Sequence, residues 1–169
     1  MEHDKADPAQ AHSIQDEQLQ KYRTVYSQRV MTAAGINSVG GLGGEIAAAL
    51  ATIPREKFVG PAPWMIGFRE NYLQTVSYDQ ATLYQDVVVP LGAGLGLNNG
   101  QPSLHARCLA ALAPRKGEHI VHVGAGTGYY TTMLVSETGR VDALAFGMEM
   151  DAKNDPGGVT ECILAGAEV

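Results

Sequence analysis

From Gln15 to Ala34, the apolar positions Leu19, Tyr22, Tyr26, Val30 and Ala33 recur at three- and four-residue steps. That spacing lines one face of an α-helix, and Gly35 supplies a stop. The polar residues 1–14, which include Pro8, read as a mobile tail. A second helix is predicted over Leu42–Ile53, with Leu42, Ile46, Leu50 and Ile53 on one face and Pro54 closing it. Pro61, Pro63 and Pro90 break any long helix in the following stretch. Val87-Val-Val-Pro90 fits a short strand, and Leu91 to Gly100 fits a loop. Ser103 is placed to cap a helix through Leu112 whose apolar face is Leu104, Cys108, Leu109 and Leu112. Pro114 and Gly117 end that helix.

The pattern then changes period. His119-Ile-Val-His-Val123 is a short β-branched run, and Gly124-Ala-Gly-Thr-Gly128 follows directly. Tyr129 to Thr138 suits a helix stopped by Gly139, and Arg140 to Phe146 suits a second strand. Strand, glycine turn, helix, strand is a βαβ unit. Beyond it, Asp151 to Gly158 reads as a loop and Val159 to Ala165 as one further strand.

Composition narrows the class. The 169 residues suffice for one domain, and 45% hydrophobic residues suffice for a core. A formal charge of −6 gives no global electrostatic reason to bind nucleic acid. Cys108 and Cys162 make neither a disulfide framework nor a metal cluster, so no metal is expected, and each fits a buried small apolar residue. The N-terminus lacks the apolar stretch of a signal peptide, and no run of ~18 apolar residues exists. The expectation is a cytoplasmic protein without a membrane contact.

The glycine turn carries the chemistry. Glycine lets backbone approach a ligand, and a helix N-terminus offers unpaired N–H groups. A dinucleotide fingerprint needs glycine at the first, third and sixth positions. Here Tyr129 takes the sixth, and the glycines are Gly124, Gly126 and Gly128. This turn is similar to that of Rossmann-like S-adenosylmethionine-dependent methyltransferases. The stretch Ser38 to Gly44 is glycine-rich, but no Lys-Ser/Thr follows it, so it is no phosphate loop.

Upstream residues narrow the resemblance. Gly35-Ile36, the string Ile53-Pro-Arg-Glu-Lys-Phe-Val59, Gln101-Pro102 opening a helix, and Ile120-Val-His-Val-Gly124-Ala-Gly-Thr-Gly-Tyr129 resemble the protein-L-isoaspartate O-methyltransferase family over residues 22–143. The resemblance implies an α/β fold: a Rossmann-like methyltransferase sheet behind an N-terminal helical segment. Residues 15–101 would form the helical, substrate-side part and residues 102–169 the cofactor-binding βαβ part. It implies S-adenosylmethionine as cofactor, an isoaspartyl protein or peptide as substrate, and methylation of the isoaspartyl carboxylate. The ester then closes to a succinimide that reopens in part to aspartate. The implied cofactor residues are His122, Gly124, Ala125, Gly126, Thr127 and Gly128.

The chain departs from the family pattern in four places. The family places a catalytic hydroxyl two residues before the helix-opening proline, and that position is Gly100. Asn99 and Ser103 are the nearest polar substitutes, although a loop amide and a helix cap also describe them. An acidic residue two positions before the first glycine is replaced by His122, which equally reads as a strand residue with one satisfied ring nitrogen. The ribose-binding carboxylate falls by count at Ala145. Asp142 comes too early, and Glu149, after a bend at Gly147, is the better candidate beside its reading as a solvated loop charge. Finally, the family's sheet needs about five further strands with intervening helices, on the order of 100 residues. The chain after Val123 is shorter than that, so the sheet is expected to be incomplete, with an open edge on which a second chain can pair. Two other readings therefore stand beside methylation of isoaspartate: a truncated, non-catalytic α/β binding module, and a related methyltransferase with another acceptor.

Overall fold

The computed structural model describes residues 8–68, 71–75, 78–91, 97–139 and 141–144. Helix α1 runs Pro8–Ala34. It therefore starts within the stretch expected to be a tail. Proline at a first helical position loses no hydrogen bond and has its φ already set. Residues 1–7 lie outside the described residues. The buried stripe of α1 is Leu19, Tyr26, Ser27, Val30 and Met31. Tyr22 and Ala33, expected in that stripe, are exposed, Tyr22 by 52%. At 100° per residue these two fall on one flank of the stripe, whereas Ser27 and Met31 fall on the other. Helix α2, Gly41–Thr52, packs on that second flank, where Ser27 Oγ donates to Ala47 O at 2.6 Å. Gly35, at φ 71°, closes α1: its N–H bonds Thr32 O, and the Ile36 N–H bonds Met31 O, each at 3.0 Å. This is a Schellman stop that only a left-handed residue permits. In α2, Ile46, Ala49 and Leu50 are buried, with Leu42 and Ile53 packed partly against them as the sequence predicts.

Pro54 ends α2 and leads into a 3-10 turn, Arg55–Phe58. Arg55 is fully buried. Its Nη1 donates to Leu83 O at 2.6 Å and Gln85 O at 2.9 Å, and its Nη2 to Val87 O at 2.6 Å. One guanidinium thereby fixes a loop distant in sequence. Strands β1, Met65–Phe68, and β2, Asn71–Gln74, form an antiparallel hairpin with Met65 opposite Gln74. Val59, Trp64, Leu83 and Val89 make a small core beneath it. Residues 87–90 contribute isolated bridges, Val88 to Gly67 and Pro90 to Asn98, rather than a full strand. Pro90 has no N–H with which to extend a ladder.

Helix α3 spans Pro102–Leu112 and buries Pro102, Ser103, Ala106 and Leu109. Leu104, Cys108 and Leu112 are exposed, which corrects the predicted apolar face and the expected burial of Cys108. The anchor is again a polar one. Asp86 Oδ1 accepts the Ser103 N–H at 2.8 Å, and Asp86 Oδ2 accepts Gln101 Nε2 at 3.0 Å. Asp86 thus caps the helix from outside, and Ser103, expected to be the cap, lies inside it with its hydroxyl buried. Cys162 and residues 145–169, including the loop and strand expected there, lie outside the described residues.

The βαβ unit forms as predicted. Strand β3, Ile120–Val123, pairs in parallel with β4, Val141–Leu144, across helix α4, Tyr129–Thr138. Gly139 caps α4 in a left-handed conformation. Tyr129, Tyr130, Met133 and Leu134 of α4 join Leu19, Tyr26, Val30, Met31 and Leu50 in one core. The fold is mixed α/β, with the helical pair α1–α2 carrying the βαβ unit. Val121 and Val123 leave 58% and 61% of their surface exposed on the other face of β3. Among the described residues, no helix is long and apolar enough to cross a membrane.

Candidate functional site

The turn between β3 and α4 places Gly124 at φ 76°, Gly126 at φ 59° and Gly128 at φ 88°. Three left-handed residues in alternation fold the chain tightly enough to bring backbone to the surface of a cavity. A Cβ on Gly126 would come within 3.1 Å of Leu91 Cδ1. Gly128 is the N-cap of α4, and no side chain caps the helix, so its first N–H groups face outward from the turn.

That turn forms one wall of a cavity of about 220 Å³. The opposite wall is the loop before α3, residues 98–100. Asn99 holds this loop to Val89: its N–H donates to Val89 O at 2.9 Å, and its Oδ1 accepts the Val89 N–H at 2.8 Å. The amide side chain mimics a strand partner, is only 8% exposed, and leaves Nδ2 buried without a bond. Asn98 Oδ1 accepts the Gly100 N–H at 2.9 Å. His105, on the first turn of α3, stacks on Tyr130 with ring centroids 3.7 Å apart and planes 10° apart. His122 lines the cavity from β3, and its Nδ1 sits 3.0 Å from Thr131 Oγ1.

Both imidazoles are held neutral. Burial pushes His105 down to about 4, helped by His122 and by the positive charge of Arg55. Burial lowers His122 as well. The tyrosine layer beneath is kept protonated: burial raises Tyr129 and Tyr130 well above the ordinary phenol range. Among the described residues, no Asp, Glu, Lys or Arg lines the cavity. Among the described residues, no group of His, Cys, Asp and Glu is arranged to hold a metal ion.

Asn99, Gly100, His122, Gly124, Ala125, Gly126 and Thr127 thus meet around one cavity. Gly128 lies just behind it as the cap of α4. Ser103 is turned away, its N–H on Asp86. Glu149 lies outside the described residues. Sequence reasoning missed Leu91, Asn98, His105, Tyr129 and Tyr130 among the lining residues. His105 had a usable signal: it stands one helical turn after Gln101, and its N–H bonds Gln101 O at 3.1 Å.

The family model for protein-L-isoaspartate(D-aspartate) O-methyltransferase matches residues 36–153. A protein-L-isoaspartate O-methyltransferase 2 of Anaeromyxobacter sp. (strain Fw109-5) is 30% identical over 106 residues, covering 63% of this chain and 36% of that protein. A protein-L-isoaspartate O-methyltransferase of Aeropyrum pernix is 30% identical over 131 residues, covering 76% of this chain and 37% of its own length. One of Methylorubrum populi is 39% identical over 64 residues, 38% of this chain and 29% of that protein. The chain therefore spans about a third of the length of the curated relatives it matches. No solved structure matches significantly. A family match that starts just after Gly35 and runs through the glycine turn and β4 takes in every wall of the cavity, and on that ground the chain belongs to the protein-L-isoaspartate(D-aspartate) O-methyltransferase family.

Proposed function

We propose that this chain carries the methyl-donor and acceptor walls of an S-adenosylmethionine-dependent protein-L-isoaspartate O-methyltransferase. The observation that carries the reading is the single cavity shared by the glycine turn and the 98–100 loop. Its residues suit such a cofactor. The left-handed glycines keep side chains out of the turn, and Asn99 Nδ2 is an orphaned buried donor. The volume of about 220 Å³ is below the ~300–1,000 Å³ of sites that hold whole drug-sized ligands. It suits the methionyl end of the cofactor together with an acceptor carboxylate. Glu149 is proposed for the ribose hydroxyls, and β3–α4–β4 for the start of a Rossmann-like sheet. Residues 15–101 would then serve as the substrate-side part.

When bound, S-adenosylmethionine would supply a sulfonium methyl to which a carboxylate oxygen bonds as the C–S bond breaks, giving a methyl ester with the thioether as leaving group. A carboxylate is already nucleophilic, so the protein has only to orient it and exclude water. Neutral His105 and His122 suit that task, since neither needs to accept a proton. Leu91 and Ala125, both buried, give the cavity part of its apolar lining. The glycine turn and the uncapped start of α4 present backbone N–H groups to the methionyl part. The test is calorimetric titration with S-adenosylhomocysteine, followed by transfer of labelled methyl to an isoaspartyl peptide. Micromolar to millimolar binding and transfer specific to the isoaspartyl form are expected. No binding at millimolar nucleoside would overturn the reading. Gly100, which lacks the hydroxyl of the family pattern, supports a second reading: methyl transfer to a different carboxylate, which a panel of acceptors would reveal.

A further inference from the structure

Gly100 and His105 fit each other as a pair. A Cβ built on Gly100 would stand 2.0 Å from His105 Nε2 and 2.7 Å from its Cδ2. No side chain can occupy position 100 while the imidazole is where it is. Tyr130 holds the ring there by face-to-face stacking. Gly100 is the position at which the family resemblance calls for a hydroxyl. A polar atom has therefore not vanished from this wall: a ring nitrogen from α3 stands where the missing side chain would begin. His105 itself lines the cavity, so its ring is available to a ligand there.

We infer that His105 replaces the absent hydroxyl of position 100, its Nε2–H donating to the acceptor carboxylate beside Asn99 Nδ2–H. This rests on the proposed methyl-transfer reading. Three observations point to an anionic acceptor at this wall. Asn99 Nδ2 is a buried donor with no partner. Among the described residues, no carboxylate lines the cavity to repel an anion. Buried Arg55 lies close enough to act electrostatically on His105, and the same field favours a negative group there. Two neutral donors would hold one carboxylate oxygen while leaving the other free to attack. A cationic partner would bind more tightly but would draw charge from the attacking oxygen.

The test measures acceptor binding apart from turnover. Fluorescence anisotropy of a labelled isoaspartyl peptide, with its aspartyl counterpart as control, is compared with S-adenosylhomocysteine affinity by calorimetry. His105→Ala is expected to weaken isoaspartyl-peptide binding about tenfold, the loss of one hydrogen bond to a charged group. Nucleoside affinity should stay within about twofold. His105→Gln, which restores a neutral N–H donor at similar reach, should recover most of the loss. Gly100→Ala, whose new Cβ must push the ring aside, should reproduce it. If His105→Ala does not fold, the Gln and Gly100 variants decide the matter. Wild-type peptide affinity in His105→Ala, a parallel loss of nucleoside, or a Gln variant no better than Ala would overturn the inference. A wild type that binds the nucleoside but not the peptide would overturn it while sparing the cofactor half of the proposed function. A wild type that binds neither would overturn both.

Discussion

At the scale of single residues, the site depends on imidazoles that resist protonation. His105 is brought down to about 4 chiefly by burial, and His122 is lowered by the same cause. In the unfolded chain both would titrate near ~6.5. A histidine whose folded value is depressed takes up its proton more readily in the unfolded state, so acid favours unfolding. The histidine contribution to stability is therefore expected to be constant above about pH 7 and to fall as pH drops from about 6.5 toward about 4. Urea midpoints taken across that range check it, and His105→Gln should flatten part of the slope. An equal slope in wild type and His105→Gln would show that other groups carry the acid sensitivity. Ring-proton NMR of His105 should show no midpoint between pH 5 and 8, the range in which an unperturbed imidazole titrates.

At the scale of elements, period and punctuation made most of the architecture legible. The helices α1, α2 and α3 and the βαβ unit all follow from apolar spacing, Gly35, Pro54 and the glycine turn. What the sequence did not reveal was rotation about helix axes, because polar contacts set it. Ser27 bonds the α2 backbone, and Asp86 holds the start of α3, so each helix buries a face that apolar counting alone would not choose. The same reason hid His105: its importance comes from Gly100 and Tyr130, which meet it only in three dimensions. Two predictions belong here. Asp86→Ala should cost roughly 1–3 kcal/mol in denaturant unfolding, since it strips acceptors from the Ser103 N–H and Gln101 Nε2 and a negative charge from a helix N-terminus. A loss below about 0.3 kcal/mol, within the scatter of ordinary surface substitutions, would contradict that anchoring role. The exposed stripe of α3 should leave Cys108 open to reagents. Brief maleimide treatment of the native protein, read by peptide mapping, should modify Cys108 without denaturant. Protection until unfolding would place α3 in another rotation.

At the scale of the whole molecule, Arg55 joins what would otherwise be two cores. Its guanidinium stands 5.8 Å from the Tyr26 ring centroid in the main core. Its other contacts are the carbonyls of Leu83, Gln85 and Val87, on the side of the small core that contains Trp64. Nearby, Arg23 pairs with Glu56 at 2.5 Å, and Tyr84 donates to the same carboxylate, tying α1 to both ends of this junction. The cavity depends on that union. Leu91 and Asn99 belong to the loop that Val89 holds, whereas the glycine turn leads into α4, whose Tyr129 and Tyr130 lie in the main core. Trp64 is the single tryptophan, so its fluorescence reports the small core, and far-UV circular dichroism reports the helices. In the wild type the two signals should change together in urea, as one cooperative unit requires. Arg55→Met keeps much of the volume but strips the donor from the buried Leu83 carbonyl and from the half-buried ones of Gln85 and Val87, at about 1–3 kcal/mol for a fully buried acceptor and less for the others. The variant is expected to lose the Trp64 signal at clearly lower urea than the helical signal, and S-adenosylhomocysteine affinity should fall with the first transition. Coincident transitions in Arg55→Met would mean that packing alone joins the cores. Separate transitions in the wild type would mean that Arg55 does not unite them.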